Sequence, residues 1–233
     1  MKEMLARHKG KLILSSLVIL LPILPAAFAG QTLFLWEPVL LLVSQWVIML
    51  VVLHANRNKE QSPKVLNLVA WILPVLSLLL GVVGQLAQGG ADSAYLITAL
   101  FTFFMGLLFF LIGNYMPKTK QNGAVGIRIK WTLESEENWD ATHRYAGKLW
   151  CLGGLLLMVC ALIPSVLTVV LLWFVILAAM VILPTRYSYR FYKSQVAEGK
   201  VEKRPVKPRN IVLIAALVLA FGAFLAWSLF SGD

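Results

Sequence analysis

The sequence is poor in charged residues and in cysteine. Asp, Glu, Lys and Arg make up 14% of its 233 residues, whereas 59% are hydrophobic. Soluble domains carry about 25% charged residues, so an ordinary soluble domain is excluded. The two cysteines, Cys151 and Cys160, would lie roughly 13 Å apart along one helix, on opposite faces. That separation is too large for a disulfide between them.

Recognisable catalytic motifs are also missing. The sequence has no G-x-S-x-G, P-loop or H-E-x-x-H pattern, and we expect no cofactor. The centres of its apolar segments contain no charged residue, which weighs against a proton- or ion-coupled transporter. The main polar groups within or near these segments are Gln45 and Gln85, with Ser44, Ser77 and Thr98, and hydrogen bonds between helices explain them adequately.

Seven apolar segments predict an all-α, polytopic membrane bundle with about seven transmembrane helices. They are about Leu12–Phe28, Val39–Leu53, Val65–Leu86, Tyr95–Ile112, Leu149–Ile163, Val166–Leu183 and Ile211–Phe230. The second could begin nearer Leu33. Pro164-Ser165 predicts a tight hairpin between the fifth and sixth segments, with a re-entrant pair as the alternative.

The first segment also has some features of a secretory signal. Basic residues precede it, and Ala27-Phe28-Ala29 resembles a cleavage site. The run from Leu12 to Phe28 has 17 residues, which is long for the hydrophobic core of a signal peptide, so we favour a retained first helix. Cleavage would leave six spans and would not change the side on which the other loops lie.

Basic residues predict the orientation of the bundle. All 21 lysines and arginines fall in the N-terminal tail and in the second, fourth and sixth loops. Because such residues collect on the cytoplasmic side, the N-terminus is predicted inside and the C-terminus outside. The net charge of +10 is therefore read as a determinant of topology and an attraction to membrane lipids, not as direct nucleic-acid binding.

The longest polar stretch is the predicted cytoplasmic loop from Gly113 to Lys148. Gly113-Asn114 is read as the end of the fourth helix and Asn122-Gly123 as a turn. Alternation over residues 125–130 predicts a short extended segment. Thr132 or Ser135 is expected to cap a helix that continues into the fifth span.

On that helix, Glu136, Asp140, His143 and Gly147 recur with helical spacing and share one face. Carboxylate and imidazole groups are suitable ligands for a divalent metal, so Glu136, Asp140 and His143 form an alternative metal or catalytic cluster. Pairing of Asp140 with Arg144 explains the pattern equally well.

An ordered string of short motifs in this part of the chain resembles the bacterial SdpI family over about residues 112–193. The motifs are Ile112-Gly113-Asn114-Tyr115-Met116-Pro117-Lys118, Val125-Gly126-Ile127-Arg128, Trp131-Thr132-Leu133-Glu134-Ser135-Glu136-Glu137-Asn138-Trp139, Thr142-His143-Arg144, Gly147-Lys148-Leu149-Trp150, Tyr187-Ser188-Tyr189 and Tyr192-Lys193. The family is named for an immunity protein against a sporulation-delaying toxin.

The resemblance implies a multi-pass protein of the bacterial cytoplasmic membrane, without a catalytic step, that protects its cell from a secreted peptide toxin. It also implies signal transduction through recruitment of a cytoplasmic transcriptional regulator. The binding or signalling candidates are Asn114, Tyr115, Pro117, Lys118, Gly126, Arg128, Trp131, Thr132, Glu136, Asn138, Trp139, His143 and Arg144. The alternatives are a metal-assisted membrane hydrolase and a small-molecule or lipid transporter.

Four regions follow from this reading. Residues 1–112 form an N-terminal membrane region of four helices, and residues 113–148 form the motif loop and entry helix. Residues 149–193 form an SdpI-like hairpin, and residues 194–233 form a basic loop and an additional helix. The first four helices and the additional last one depart from the commoner arrangement of the family.

Overall fold

The computed structural model describes residues 2–28, 30, 33–55, 61–88 and 93–201, and these residues form helices without any β-strand. The helices are α1 (Lys2–Leu20), α2 (Ile23–Phe28), α3 (Leu33–Ala55), α4 (Pro63–Leu86), α5 (Ala94–Tyr115), a 3₁₀ turn (Met116–Lys118), α6 (Lys130–Glu134), α7 (Glu136–Cys160) and α8 (Val166–Ala197). The chain divides into two compact units, residues 1–194 and 195–233. In the described part of the second unit, Lys200 pairs with Glu198 at 2.7 Å.

Five of the described segments are long and apolar enough to cross a membrane. They are Lys9–Phe28, Leu35–Ala55, Pro63–Leu86, Ala94–Lys118 and Val166–Ala197. The all-α membrane fold is therefore confirmed. The predicted fifth span is the apolar half of α7, whose other half is polar. The segment Ile211–Phe230 lies outside the described residues, so the total of seven spans and the orientation stay predictions.

Several boundaries follow from local sequence. The first apolar segment changes direction at Leu21-Pro22, and α3 begins at Leu33, the earlier of the two predicted starts. The break at Pro164-Ser165 is confirmed, because α7 ends at Cys160 and α8 begins at Val166. The expectation that Gly113-Asn114 ends the fourth helix is off by one to two residues, since α5 continues to Tyr115.

In the N-terminal region, α1, α3 and α4 pack through apolar side chains and a few hydrogen bonds between helices. The Gln45 amide on α3 donates to the Ala70 carbonyl at 2.8 Å. The Ser77 hydroxyl on α4 donates to the Ile19 carbonyl at 2.9 Å. Each bond satisfies a polar group that would be costly to leave unpaired in hydrocarbon.

Glycines bring α5 and α7 into backbone contact. Gly113 faces Gly147, and a Cβ built on either would lie 2.8 Å from the carbonyl oxygen of the other. Gly106 faces Gly154 in the same way, so the two helices run antiparallel. A residue with a side chain at these positions would force the helices apart. Gly113 therefore lies inside α5 and allows the close approach of α7, and it does not end the helix.

The helices α7 and α8 also pack antiparallel. The Asn138 amide near the start of α7 donates to the Ser188 carbonyl near the end of α8, at 3.1 Å. Further along, the Trp150 indole donates to the Met180 carbonyl at 3.2 Å. Gly153 lies against Met180. Three segments therefore lie at the same end of the helix bundle: the end of α5, the polar half of α7 and the end of the apolar run of α8.

Candidate functional site

The motif loop folds back over the polar half of α7. Residues 119–129 form no regular element, so the predicted extended segment is not a strand. The predicted turn at Asn122 is confirmed: its side-chain oxygen accepts hydrogen bonds from the backbone N–H groups of Ala124 and Val125, at 2.6 and 2.7 Å. The Asn122 amide also donates to the Val125 carbonyl at 2.9 Å. One side chain thus closes the turn.

Trp139 and His143 form the centre of this region. Both side chains are fully buried, and their rings stack with centroids 4.1 Å apart. The Trp139 indole donates to the Thr119 carbonyl at 2.7 Å, which fixes the start of the loop. Gly126 covers both rings with a φ of 115°, and a Cβ there would lie 2.5 Å from the His143 Nε2. Both its backbone conformation and its space require glycine.

His143 acts as an acceptor for the loop backbone. Its Nε2 accepts a hydrogen bond from the Ile127 N–H at 2.9 Å. Its Nδ1 lies 2.7 Å from the Trp139 carbonyl, so this nitrogen carries the proton. Burial lowers the pKa of His143 from its usual value of 6.5, although the bond to Trp139 and the nearby Asp140 charge oppose that shift. The ring is therefore neutral at pH 7.

Thr132 and Asn138 are buried and hydrogen-bonded. The Thr132 hydroxyl lies 2.7 Å from the Ile127 carbonyl and accepts from the Ile129 N–H at 3.2 Å. The Asn138 carbonyl oxygen accepts from the hydroxyls of Thr142 and Ser188, at 2.9 and 2.8 Å. Of the two predicted caps, Ser135 is the one at the start of α7, where it accepts from the Asn138 N–H at 3.1 Å.

Aromatic contacts join this region to α8. Trp131 lies against Tyr189 and Tyr192, with ring centroids 4.9 and 6.3 Å away. Beside the 3₁₀ turn, the Lys118 ammonium lies over the Tyr115 ring, 4.8 Å from its centroid. Trp131 and Tyr115 are half-buried, so these two candidates contribute mainly to packing.

The remaining candidates are exposed. They are Asn114, Pro117, Lys118, Gly126, Arg128, Glu136 and Arg144. A cleft of about 540 Å³ opens between α5, α7 and α8, and Asn114, Pro117 and Arg144 line it. The buried candidates, together with Gly126, hold the loop on α7, and the other exposed candidates lie on the surface of this region.

The arrangement that the metal alternative requires is not present. His143 is turned into the protein with both ring nitrogens engaged, whereas Glu136 and Asp140 are exposed. Within the described ranges, no three His, Cys, Asp or Glu side chains come close enough to hold a metal ion. The physical reason is the loop, which buries the histidine side of the helix and leaves the carboxylates outside.

Sequence reasoning missed two glutamines that tie the loop down. Gln61, just before α4, donates to the Lys120 carbonyl at 2.8 Å and accepts from the Lys120 N–H at 3.0 Å. Gln121 donates to the Thr132 carbonyl at 2.8 Å. Neither lies in a periodic pattern. Gln61 is also 59 residues from its partner, so nothing in the local sequence indicates the contact.

The fold and this region define a class of protein. The chain is a multi-pass α-helical membrane protein with a polar loop packed on a helix that enters the membrane. Its residues 118–188 match the SdpI/YfhL protein family. The chain is also similar to the Immunity protein SdpI of Bacillus subtilis (strain 168), with 27% identity over 179 residues, 72% of this chain and 79% of the relative. No solved structure matches it significantly. The recognition of the SdpI family is thereby confirmed.

Proposed function

We propose that this protein is a membrane immunity protein that protects its cell against a secreted, membrane-active peptide toxin. The observation that carries the proposal is the match of residues 118–188 to the SdpI family, together with similarity to an immunity protein over most of both chains. The matched segment is also the part in which buried polar contacts are most concentrated. Protection requires no catalytic step in this account.

In this proposal the toxin binds to the protein within the bilayer. Large apolar side chains of α8 such as Leu167, Leu171 and Val175 are exposed and face the surroundings of the helix. A membrane-active peptide could bind such a surface, or the protein could occupy the target that the peptide needs. Either mode prevents the toxin from permeabilising the membrane, and both leave the polar loop free for a second role.

That second role is signalling on the cytoplasmic side. The exposed candidates Arg128 and Glu136 belong to the loop and to the first turn of α7. The hydrogen bonds of Thr132 and His143 hold the backbone beneath them in one conformation, which suits recognition by a folded cytoplasmic regulator. We propose that toxin engagement alters this surface and recruits the regulator.

Immunity is tested by deleting the gene and challenging the cells with culture fluid from a panel of toxin-producing relatives. The deletion strain is expected to lose membrane potential and survival with at least one fluid, and the wild-type gene should restore both. An Arg128→Ala/Glu136→Ala variant should also restore survival, because in this proposal the toxin meets the apolar surface of α8 and not these polar side chains. Unchanged survival of the deletion strain across the panel would contradict immunity.

Signalling is tested separately, by crosslinking in native membranes with and without the active fluid. A cytoplasmic protein is expected to crosslink to residues 114–148 in the wild type when toxin is present. The Arg128→Ala/Glu136→Ala variant should lose that crosslink while its immunity remains. If the same protein crosslinks equally well without toxin, the proposal of regulated recruitment is wrong. The proposal of immunity is not affected by that result.

A further inference from the structure

The cleft between α5, α7 and α8 has properties that the immunity role does not use. It encloses about 540 Å³, within the range of small-molecule sites. Asn114 contributes an amide, and Arg144 and Lys148 contribute two cations from successive turns of α7. Tyr145 and Tyr187 stack at its edge with ring centroids 4.6 Å apart.

The charge of this cleft is unbalanced. None of the described residues that line it is acidic. Asp140 lies one turn before Arg144 on α7, yet no ion pair joins them in the described part of the chain. Arg144, Lys148 and Asn114 are all exposed, and no hydrogen bond to another described residue engages them. Two neighbouring cations without a counter-charge favour an anionic ligand.

The depth of the cleft indicates where that anion comes from. The apolar run of α5 ends at Ile112, that of α7 begins at Leu149, and that of α8 ends at Leu183. Apart from Cys151, the lining residues lie beyond these three limits, which corresponds to the level expected for the lipid headgroups. Stacked tyrosines are typical of this level. Basic pockets between helices on the cytoplasmic side are suited to lipid phosphates.

We propose that this cleft binds the phosphate group of an anionic phospholipid, with Arg144 and Lys148 holding the phosphate oxygens and Asn114 donating to the headgroup. The proposal needs the predicted cytoplasmic location of the loop but does not rest on toxin immunity. A bound lipid would bridge the ends of α5 and α7 where Gly113 and Gly147 touch. It would thereby brace the base of the motif loop.

Lipid binding is measured by native mass spectrometry on the full-length protein released from nanodiscs that contain phosphatidylcholine and phosphatidylglycerol. The wild type is expected to retain phosphatidylglycerol in preference to phosphatidylcholine. If each cation contributes about a factor of five, an Arg144→Gln/Lys148→Gln variant should bind phosphatidylglycerol about thirtyfold more weakly. Each single variant should lose about fivefold.

Two controls separate a site from general surface charge and from a folding defect. Lys64→Gln/Lys120→Gln removes two exposed cations outside the cleft and should leave the lipid preference unchanged. Arg144→Lys/Lys148→Arg keeps the charge and should retain most of the preference. The melting temperature of every variant in phosphatidylcholine alone should equal that of the wild type, because the altered side chains are exposed.

Three outcomes would overturn the proposal. The wild type could show no preference for phosphatidylglycerol, or both double Gln variants could lose it equally. Titration of inorganic phosphate and glycerol 3-phosphate into protein in phosphatidylcholine nanodiscs supplies the third test. Binding of either compound at the affinity measured for phosphatidylglycerol would assign the cleft to a soluble phosphate and not to a lipid.

Discussion

The N-terminal helices and the motif region are held together in different ways. Helices α1, α3 and α4 meet through apolar side chains such as Leu12 and Met49, with a few hydrogen bonds, from Gln45 to Ala70 and Ser15 and from Ser77 to Ile19. In the motif region, α5 and α7 touch backbone to backbone, and a polar loop is fixed by several side chains at once. Apolar packing tolerates many sequences, whereas the second arrangement requires particular residues at particular positions.

This difference explains why a recognisable motif string occurs in one region and not in the other. Trp139, His143 and Thr132 each make a specific hydrogen bond to the loop backbone, and Gly126 occupies a space that admits no side chain. Much of the motif therefore specifies the fold of the loop. The exposed residues beside it, such as Arg128 and Arg144, are the better candidates for contact with partners.

The largest expected effect is that of Trp139→Ala. It removes a fully buried ring and leaves the Thr119 carbonyl without its donor, so the free energy of unfolding should fall by about 3–5 kcal/mol. Denaturation of the purified protein in detergent measures this change. The matched control is Trp36→Ala on α3, where the ring is 68% exposed and the change should stay within about 0.5 kcal/mol. Equal losses of unfolding free energy in the two variants would contradict the proposed difference between the two regions.

A smaller effect compares one buried amide from each region. Asn138→Leu removes hydrogen bonds to Thr142 and Ser188 and should cost about 1–3 kcal/mol of unfolding free energy. Gln45→Leu removes the bond to Ala70 in the apolar bundle and should cost about 0.6 kcal/mol. The same denaturation experiment measures both. A larger loss for Gln45→Leu would reverse the comparison.

The last expected effect concerns pH. Because the folded pKa of His143 is lowered, the unfolded chain binds the additional proton first as the pH falls. The contribution of His143 is therefore complete above about pH 6.5 and is lost below it, with a slope of at most ~1.4 kcal/mol per pH unit. Protonation would also place an N–H of Nε2 against the Ile127 N–H. His143→Gln should flatten the dependence of stability on pH below about 6.5; an unchanged slope would contradict this role.

Much of the fold could be predicted because apolar run length and capping are local properties. The hairpin break at Pro164 and the cap at Ser135 depend on neighbouring residues alone. Gly113 could not be assigned correctly, since a glycine that ends a helix and one that admits a second helix look the same in sequence. Its partner, Gly147, becomes apparent only when α5 and α7 are packed.

The sequence singled out the candidate residues, but their positions and contacts were not all predictable. Helical spacing placed His143 on one face with Glu136 and Asp140. It could not show that the loop would cover the histidine and leave the carboxylates exposed. That outcome depends on the turn at Asn122 and on the anchor from Gln61, 59 residues from its partner Lys120. Contacts at such distances have no periodic pattern.

The location of the motif region is the claim on which the partner, the signal and the lipid site depend. Single-cysteine variants at exposed Arg128 and, on the predicted outer side, exposed Gln88 can be made with Cys151 and Cys160 replaced by alanine. A membrane-impermeant maleimide is then applied to intact cells and to permeabilised cells. We predict labelling of Gln88→Cys in both, and of Arg128→Cys only after permeabilisation. Labelling of Arg128→Cys in intact cells would contradict the account.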